Sequence, residues 1–369
     1  MAMNRAVLQW AKEQGEPPSE DIVSSFSKQL GKSYALYGSM LVLPPSLLDS
    51  EQWKTATNQD PETVHNLYNC IAKHLKISHI ACTRPIPLHD DAEGSENIIR
   101  APSNFTPLFG DFGPSTCSYP PSQEDFASAY WVTAKQNGIS QTWAPRWTMF
   151  SRGNISEKQR ILELQSVKTT VIEGNKDARG CAAVDLYAGI GYFTFSYLKA
   201  GFNKVLCWDL NPWSTEGLRR GASANKWRSV SSTDQPSPID LAKSDSRCII
   251  FNESNEHATA KIEAMREHLP PIRHVNCGLL PTSRHSWKTA FLAISPERGG
   301  WVHVHENFDQ REIEQKSEEA RLVFQQLLDS LTGSKGQKVA LEYINRVKTY
   351  APGVYHVVLD IYIPPRQVS

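Results

Sequence analysis

The spacing of hydrophobic positions changes near residue 150, and this change divides the chain. Before it, helical spacing over residues 65–75 lies between two apolar stretches, YALYGSMLVLP and ISHIACTRPIP, which predicts a small α+β domain. After it, apolar runs alternate with helix-length polar segments. We therefore predict a helical extension over residues 1–30, an α+β domain over residues 31–150 and a larger domain over residues 151–369.

The larger domain contains seven apolar runs, at residues 182–188, 204–210, 248–254, 273–281, 300–307, 338–344 and 355–363. The first five are nearly continuous in hydrophobicity and lie a helix length apart, which is typical of buried parallel strands. Only about ten residues join the last two, too few for a helical crossover, so the final strand should run antiparallel. This pattern predicts an α/β fold of the class I S-adenosylmethionine (SAM)-dependent methyltransferase type, Rossmann-like, with a seven-stranded sheet and an antiparallel last strand.

Turn chemistry predicts the connections in the first 150 residues. Asn137-Gly138 lies between two β-like segments and suits a type I′ hairpin turn, in which both central residues have positive φ. Two polar stretches rich in glycine, proline and serine, residues 89–97 and 110–125, are predicted to be loops.

Composition narrows the classes of function. The chain has 39 basic and 39 acidic side chains, so its net charge does not indicate nucleic acid, although the basic excess lies after residue 140. The chain has seven cysteines and no CxxC pair, a pattern that disfavours a zinc ribbon and a disulfide scaffold. Neither a signal-peptide pattern nor a long apolar segment is present, so we expect a soluble, cytoplasmic protein that does not enter a membrane.

The strongest local motif is DLYAGIGYFTF, in which Asp185 ends the first run and Gly189 and Gly191 form a turn before a helix. Such a turn lets the backbone approach a nucleotide closely. Asp209 ends the second run, where its carboxylate would accept both ribose hydroxyls. Glycines that serve only to pack the helix on the strand are the alternative interpretation.

NAD and SAM both bind beside a glycine turn that precedes an acidic strand end. Thr194 stands where a dinucleotide fingerprint needs glycine or alanine, which favours SAM. Glu253, Ser254 and Asn255 end the third run, where a SAM fold reads the adenine edge, with capping of the core edge as the alternative.

Several motifs together resemble the tRNA wybutosine-synthesising protein 2 family. They are MFSRGNISEKQR (149–160), VDLYAGIGYFTF (184–195), DLNPWSTEGLRRGA (209–222), HVNCGLLPTSRHSW (274–287), GGWVHVHEN (299–307) and VKTYAPGVYHVVLDI (347–361). The resemblance implies transfer of the 3-amino-3-carboxypropyl group of SAM to the tricyclic 4-demethylwyosine base at position 37 of phenylalanine tRNA, with release of methylthioadenosine. It also implies that residues 31–150 recognise tRNA. A tRNA guanine-37 N1-methyltransferase and a non-catalytic tRNA-binding module remain alternatives.

The family resemblance also assigns site residues. It places Ser151 and Lys158 at cofactor contacts, and the nearby Arg152 is a second cation for the SAM carboxylate; solvated charges at a helix start are the alternative. Asn276 lies where related methyltransferases carry an Asn-Pro motif and is the candidate for catalysis, but here the proline comes five residues later. Asp209 and Ser254 stand where the family often has glutamate and aspartate. The predicted cofactor-binding residues are Ser151, Arg152, Lys158, Asp185, Tyr187, Gly189, Gly191, Asp209, Leu210, Glu253, Ser254, Asn255 and Asn276.

The segment TWAPRWTMFSR interleaves aromatic and basic residues, which suits base stacking and phosphate contacts. Arg146 and Trp147 are its RNA-binding candidates, although aromatic residues after a hairpin commonly belong to a core. His303 and His305 have a spacing compatible with a metal ion, but the sequence shows no further ligand set, and we expect no metal. No obligate protein partner is expected.

Overall fold

The computed structural model describes residues 2–15, 18–32, 34–83, 102, 105–150, 153–234, 237–332 and 336–366. The chain divides into two compact units. The first unit consists of residues 1–135 and 142–150, and the second consists of residues 136–141 and 151–369.

The first unit is an α+β structure. Its helices are α1 (Ala2–Lys12), α2 (Glu20–Lys32), α3 (Pro45–Leu48), α4 (Glu51–Thr57), α5 (Pro61–Leu75) and α6 (Gln123–Ser128). Its sheet has the order β1 (Ala35–Tyr37), β2 (Met40–Leu43), β3 (His79–Thr83) and β4 (Phe105–Phe109), in which only the central pair, β2 and β3, is parallel.

Helix α5 shows how local sequence sets these elements. Asp60 accepts a hydrogen bond from the backbone N–H of Thr63, Pro61 occupies the first turn, and Lys76 ends the helix with a φ of 56°. Its apolar face contributes Leu67 and Ile71 to the core of the unit.

Residues 1–30 differ from the expected separate extension. Their two helices, α1 and α2, bury Trp10, Phe26 and Leu30 in the same core as α5. The two helices are part of the first unit, because burial of their apolar faces in this core stabilises them there.

A hairpin of β5 (Val132–Gln136) and β6 (Ile139–Trp143) follows. Asn137 and Gly138 have φ values of 51° and 72°, which confirms the type of turn predicted from the sequence. Of the two predicted polar loops, residues 89–97 lie outside the described residues. Residues 110–125 are irregular until Ser122, whose side chain caps α6.

The second unit contains an eight-stranded sheet between helices. The helices are α7 (Ile155–Glu163), α8 (Gln165–Lys176), α9 (Thr194–Ala200), α10 (Pro212–Ala224), α11 (Pro238–Lys243), α12 (Ala258–Met265), α13 (Trp287–Ala293) and α14 (Ile313–Thr332). The strands are β7 (Ala182–Asp185), β8 (Lys204–Trp208), β9 (Ser229–Ser231), β10 (Cys248–Phe251), β11 (Ile272–Cys277), β12 (Gly300–Asp309), β13 (Ala340–Ala351) and β14 (Val354–Ile363).

The strand order is β13-β14-β12-β11-β7-β8-β10-β9. Strand β14 runs antiparallel to both of its neighbours, as predicted, and the other pairs are parallel. All seven predicted strands are present, and the fold class is confirmed. The eighth strand, β9, has three partly buried residues, too short and too polar to give a hydrophobic signal in the sequence.

Two apolar clusters cover the faces of this sheet, one under α12, α13 and α14 and the other under α7, α8 and α9. Because the strands from β7 to β12 are parallel, their carboxyl ends meet at one edge of the sheet, and polar residues follow them there. Among the described residues, no helix has both the length and the apolar character needed to cross a membrane.

Candidate cofactor and acceptor site

The glycine turn after β7 needs its two glycines for backbone reasons. Gly189 has a φ of 54° and Gly191 a φ of 91°, values that other residues rarely adopt. A Cβ atom on Gly191 would lie 2.6 Å from the ring of Phe195, and one on Gly189 would lie 2.9 Å from the ring of Tyr192. The turn therefore presents bare backbone in front of α9.

Asp185 holds this turn from inside. It is fully buried, and its Oδ2 accepts hydrogen bonds from the backbone N–H of Thr194 at 3.0 Å and from its hydroxyl at 2.9 Å. Burial raises the pKa of Asp185 to about 6. Both oxygens of the carboxylate accept hydrogen bonds from the protein, so Asp185 positions the turn, and a direct contact with the cofactor remains a prediction.

Asp209, directly after β8, faces the turn from the neighbouring strand. Its Oδ2 accepts a hydrogen bond from the Gly189 N–H at 2.8 Å, and its Oδ1 accepts one from the Asn211 N–H at 2.9 Å. Burial raises its pKa to about 6, against the effect of these two bonds. The carboxylate is only partly buried and keeps lone pairs for two ribose hydroxyls.

Leu210 extends this part of the edge with an apolar side chain that is 43% exposed. The amide of Asn252 donates to the backbone oxygens of Asp209 and Leu210, which holds both residues in place. An exposed leucine beside a carboxylate suits the apolar face of an adenine next to its ribose.

The three polar residues after β10 each make a contact within the protein. Glu253 accepts a hydrogen bond from the Trp208 indole at 3.2 Å and pairs with Lys261 at 2.8 Å. Ser254 caps a short helical turn, and Asn255 donates to the backbone oxygen of Leu186 at 2.8 Å. These contacts agree with capping of the core edge; because all three side chains are partly exposed, adenine recognition remains a prediction.

Tyr187 lies between the glycine turn and the main core. Its ring packs against that core and is partly buried, and burial raises the pKa of its hydroxyl, while hydrogen bonds to Ser286 and Asn255 lower it. The residue therefore joins the turn to the β10 end of the edge.

Lys158 brings a cation to the glycine turn from α7. Its Nζ donates to the side-chain oxygens of Gln136 at 2.6 Å and Gln141 at 3.0 Å, and it lies 5.4 Å from the centre of the Tyr192 ring. The side chain is 3% exposed, and burial lowers its pKa to about 8. An ammonium group so placed can pair with the carboxylate of an amino-acid tail.

A buried ionic network that the sequence did not reveal anchors α7 to the sheet. Arg160 pairs with Glu157 at 2.7 Å and with Asp360 of β14 at 2.6 Å, and Asp360 accepts from His303 at 2.7 Å. Burial alone would raise the pKa of Asp360, but His303 and Arg160 hold it below its usual range. Since Lys158 follows Glu157 directly, this network positions Lys158.

The two histidines that suggested a metal have other partners. His303 forms hydrogen bonds with Asp360 and His274. The Nδ1 atom of His305 lies 3.0 Å from the Nε2 atom of His356. Within the part of the chain that the structure describes, no group of three or more histidine, cysteine, aspartate or glutamate side chains is arranged to hold a metal ion.

Asn276, the catalytic candidate, is fully buried at the end of β11. Its amide nitrogen donates to Asp185 at 3.3 Å, and its amide oxygen has no partner among the described residues. The side chain thus supports the turn through Asp185. A direct role in catalysis remains a prediction.

Residues 142–150 of the aromatic and basic segment lie in the first unit. Trp143 is buried and stacks on Phe150 with ring centres 4.3 Å apart, and Tyr37 packs edge-on against both, so these rings form a core contact. The candidates Arg146 and Trp147 are half-buried. Ser151 and Arg152, predicted to contact the cofactor, lie outside the described residues.

Comparison with known proteins identifies the family. No family model matches the chain. The tRNA wybutosine-synthesizing protein 2 of Schizosaccharomyces pombe is 37% identical over 332 residues, which cover 89% of this chain and 72% of that protein. The chain belongs to the tRNA wybutosine-synthesizing protein 2 family. The Saccharomyces cerevisiae wybutosine-synthesizing protein 2 is 35% identical over 309 residues, 77% of this chain and 60% of the yeast protein.

Solved structures share the fold of this wybutosine-synthesizing protein 2 family member. Pyrococcus horikoshii TYW2 in complex with MeSAdo has a TM-score of 0.60 at 17% identity and covers 98% of this chain and 99% of its own. M. jannaschii TYW2 in complex with AdoMet has a TM-score of 0.52 at 15% identity, with 90% and 100% covered. The aTrm5 complex with tRNALeu has a TM-score of 0.54 at 18% identity, with 94% and 78% covered.

Proposed function

We propose that this protein transfers the 3-amino-3-carboxypropyl group of SAM to the tricyclic 4-demethylwyosine base at position 37 of phenylalanine tRNA. The observation that carries the proposal is the 37% identity to a wybutosine-synthesizing protein 2 over 89% of the chain. The SAM- and methylthioadenosine-bound structures of related fold support the choice of co-substrate. None of the described cysteines forms a disulfide. Free thiols are typical of a reducing compartment, which supports the proposal of a cytoplasmic location.

The geometry supports a division of the site between the two ends of SAM. Asp209 offers acceptors to the ribose hydroxyls, and the adenine lies toward Leu210 and the residues after β10. Lys158 holds the carboxylate of the amino-acid tail at the opposite side of the glycine turn. The contacts of Ser151 and Arg152 with the cofactor stay predictions from the sequence.

Holding the tail decides which carbon of the sulfonium reacts. When the γ-carbon of the tail is in line with the acceptor carbon, a C–C bond forms as the C–S bond breaks, and the electron pair of that bond stays on sulfur. Neutral methylthioadenosine leaves, and the acceptor carbon loses its proton. The protein's contribution is positioning and the exclusion of water from a reactive sulfonium.

The alternative is a methyl transfer to guanine 37, because a solved M. jannaschii tRNA m1G37 methyltransferase shares the fold. Two features favour transfer of the tail. The sequence VNCGLLP after His274 lacks an Asn-Pro motif at the end of β11, and the buried cation Lys158 lies at the turn.

Product analysis tests the proposal. Purified protein is incubated with SAM and phenylalanine tRNA from cells blocked before this step. The tRNA is then digested, and the masses of its nucleosides are measured by mass spectrometry. We expect a mass gain equal to an aminocarboxypropyl group, with an equal amount of methylthioadenosine. A gain of one methyl group with S-adenosylhomocysteine would make the protein a methyltransferase. Binding of tRNA with neither product, by a folded protein, would make it a non-catalytic module.

A further inference from the structure

Three strands of the large sheet continue past the edge at which the parallel strands end. Strand β12 pairs with β11 only as far as Val304, but its pairing with β14 continues to Asp309. The start of β14 pairs in turn with β13 as far as Ala351. We call this part, residues 305–309, 345–351 and 354–358, the sheet extension. It begins beside the glycine turn, because the rings of Phe193 and His305 are 4.9 Å apart.

Register places a group of polar side chains on one face of the sheet extension. Directly opposed residues of antiparallel strands share a face. Asn307 is opposite His356, and His356 is opposite Lys348. His305 lies on the same face, two residues before Asn307, and its Nδ1 is 3.0 Å from the Nε2 of His356. The face that carries Asn307 is therefore the one that meets Phe193.

The loop after β11 fixes the position of Asn307. The Asn307 backbone N–H donates to the Pro281 oxygen at 2.9 Å. The neighbouring Glu306 carboxylate accepts from the hydroxyls of Thr282 and Ser283 and from the Ser283 backbone N–H. These bonds hold the strand in register and fix which face of the sheet carries the Asn307 side chain.

Three polar atoms of this face lack partners among the described residues. Both the oxygen and the nitrogen of the Asn307 amide are shielded from solvent and have no hydrogen-bond partner among the described residues, and the same holds for Nδ1 of His356. A buried amide with neither group satisfied destabilises a fold, and such a group calls for a ligand or another explanation.

Both histidines of this face are neutral near pH 7. Burial lowers the pKa of His305 and of His356 to about 3, and the charge of Lys348 also lowers that of His356. In a neutral imidazole pair joined by one hydrogen bond, one ring nitrogen of each histidine stays outside that bond, and for His356 this nitrogen is Nδ1. The face is thus suited to hydrogen bonding with a neutral heterocycle.

We infer that Asn307, with His356 beside it, reads the edge of the acceptor base. An amide presents one donor and one acceptor side by side, which match a ring carbonyl and a ring N–H of a guanine-derived base. Phe193 supplies the apolar floor between this edge and the glycine turn. This inference rests on the proposed function, because it assigns the acceptor subsite of that reaction.

The test replaces Asn307 with leucine, which has nearly the same shape and no polar atoms. A purely structural role predicts that N307L is at least as stable as the wild type and transfers the group equally well, because an unsatisfied amide has been removed. The inference predicts unchanged SAM affinity and a fall in kcat/KM for acceptor tRNA on the order of 10- to 100-fold. Thr349→Val, an exposed change on the other face of the sheet extension, is the matched control and should leave kcat/KM unchanged.

The outcomes separate this inference from the proposed function. Transfer by N307L at the wild-type rate, in an assay where the wild type is active, would overturn the inference alone. A wild-type protein that transfers no aminocarboxypropyl group would overturn the proposed function and the inference with it. Asn307→Asp keeps the size of the side chain and loses the donor, and it carries the same test if N307L does not fold.

Discussion

Replacing Asp209 with asparagine should weaken the binding of SAM through two effects at once. The carboxylate accepts the backbone N–H groups of Gly189 and Asn211 at 2.8 and 2.9 Å, one on each oxygen. An asparagine has one oxygen and one amino group, so one of these backbone donors would meet another donor. The ribose hydroxyls would in addition lose an ionised acceptor.

The size of the effect follows from the bonds involved. A hydrogen bond to a charged group contributes roughly 1.5–3 kcal/mol, and replacement by a neutral acceptor keeps part of it. For the two ribose hydroxyls together we expect Asp209→Asn to cost about 2–4 kcal/mol of binding free energy, which raises the dissociation constant roughly 30- to 1000-fold.

Isothermal titration with SAM and with methylthioadenosine measures this change. Both ligands contain the same ribose, so the variant should lose the same factor for each. Asp245→Asn is the control, because Asp245 is 71% exposed and pairs with Arg228 on the surface. A dissociation constant within twofold of the wild type, or a loss confined to SAM, would refute the assignment of Asp209 to the ribose.

Three further predictions follow from Lys158 and the glycine turn. Lys158→Met should weaken SAM about 10-fold and leave methylthioadenosine unchanged in the same titration, because only SAM has the tail carboxylate; an equal loss for both would contradict this. Burial lowers the Lys158 pKa from 10.5 to about 8, so the unfolded chain holds this proton more tightly. The free energy of unfolding of the wild type, measured in urea, should therefore rise by up to about 3 kcal/mol relative to that of Lys158→Met between pH 8 and pH 10.5. If the two proteins show the same dependence of this free energy on pH, the Lys158 ammonium is not desolvated. Gly191→Ala should lower the free energy of unfolding by about 2–4 kcal/mol, through backbone strain and the contact with the Phe195 ring. Gly353→Ala, at a φ of 75° with open space around it, should lower it by only about 1 kcal/mol. Equal losses in the two variants would show that the Phe195 contact contributes nothing.

Local features could be predicted because their causes are local. At Asn137-Gly138, Gly189 and Gly191 the backbone takes a positive φ, which asparagine and glycine adopt more readily than other residues. A few neighbouring residues in the sequence are enough to indicate such a turn. The buried parallel strands were visible because both faces of each strand are apolar. These signals were sufficient for the fold class, the antiparallel last strand and the position of the glycine turn.

Tertiary structure alone decided how the polar residues near the site are used. Arg160 and Asp360 are 200 residues apart in the chain, and nothing in either segment shows that they form an ion pair beneath α7. Asp185 accepts hydrogen bonds from Thr194, a contact that its motif did not indicate. Asn307 lies opposite His356, 49 positions away in the chain, because of the register between strands β12 and β14. Sequence patterns report which residues are apolar and where the backbone must turn, whereas the direction and partner of a polar side chain depend on packing between distant segments.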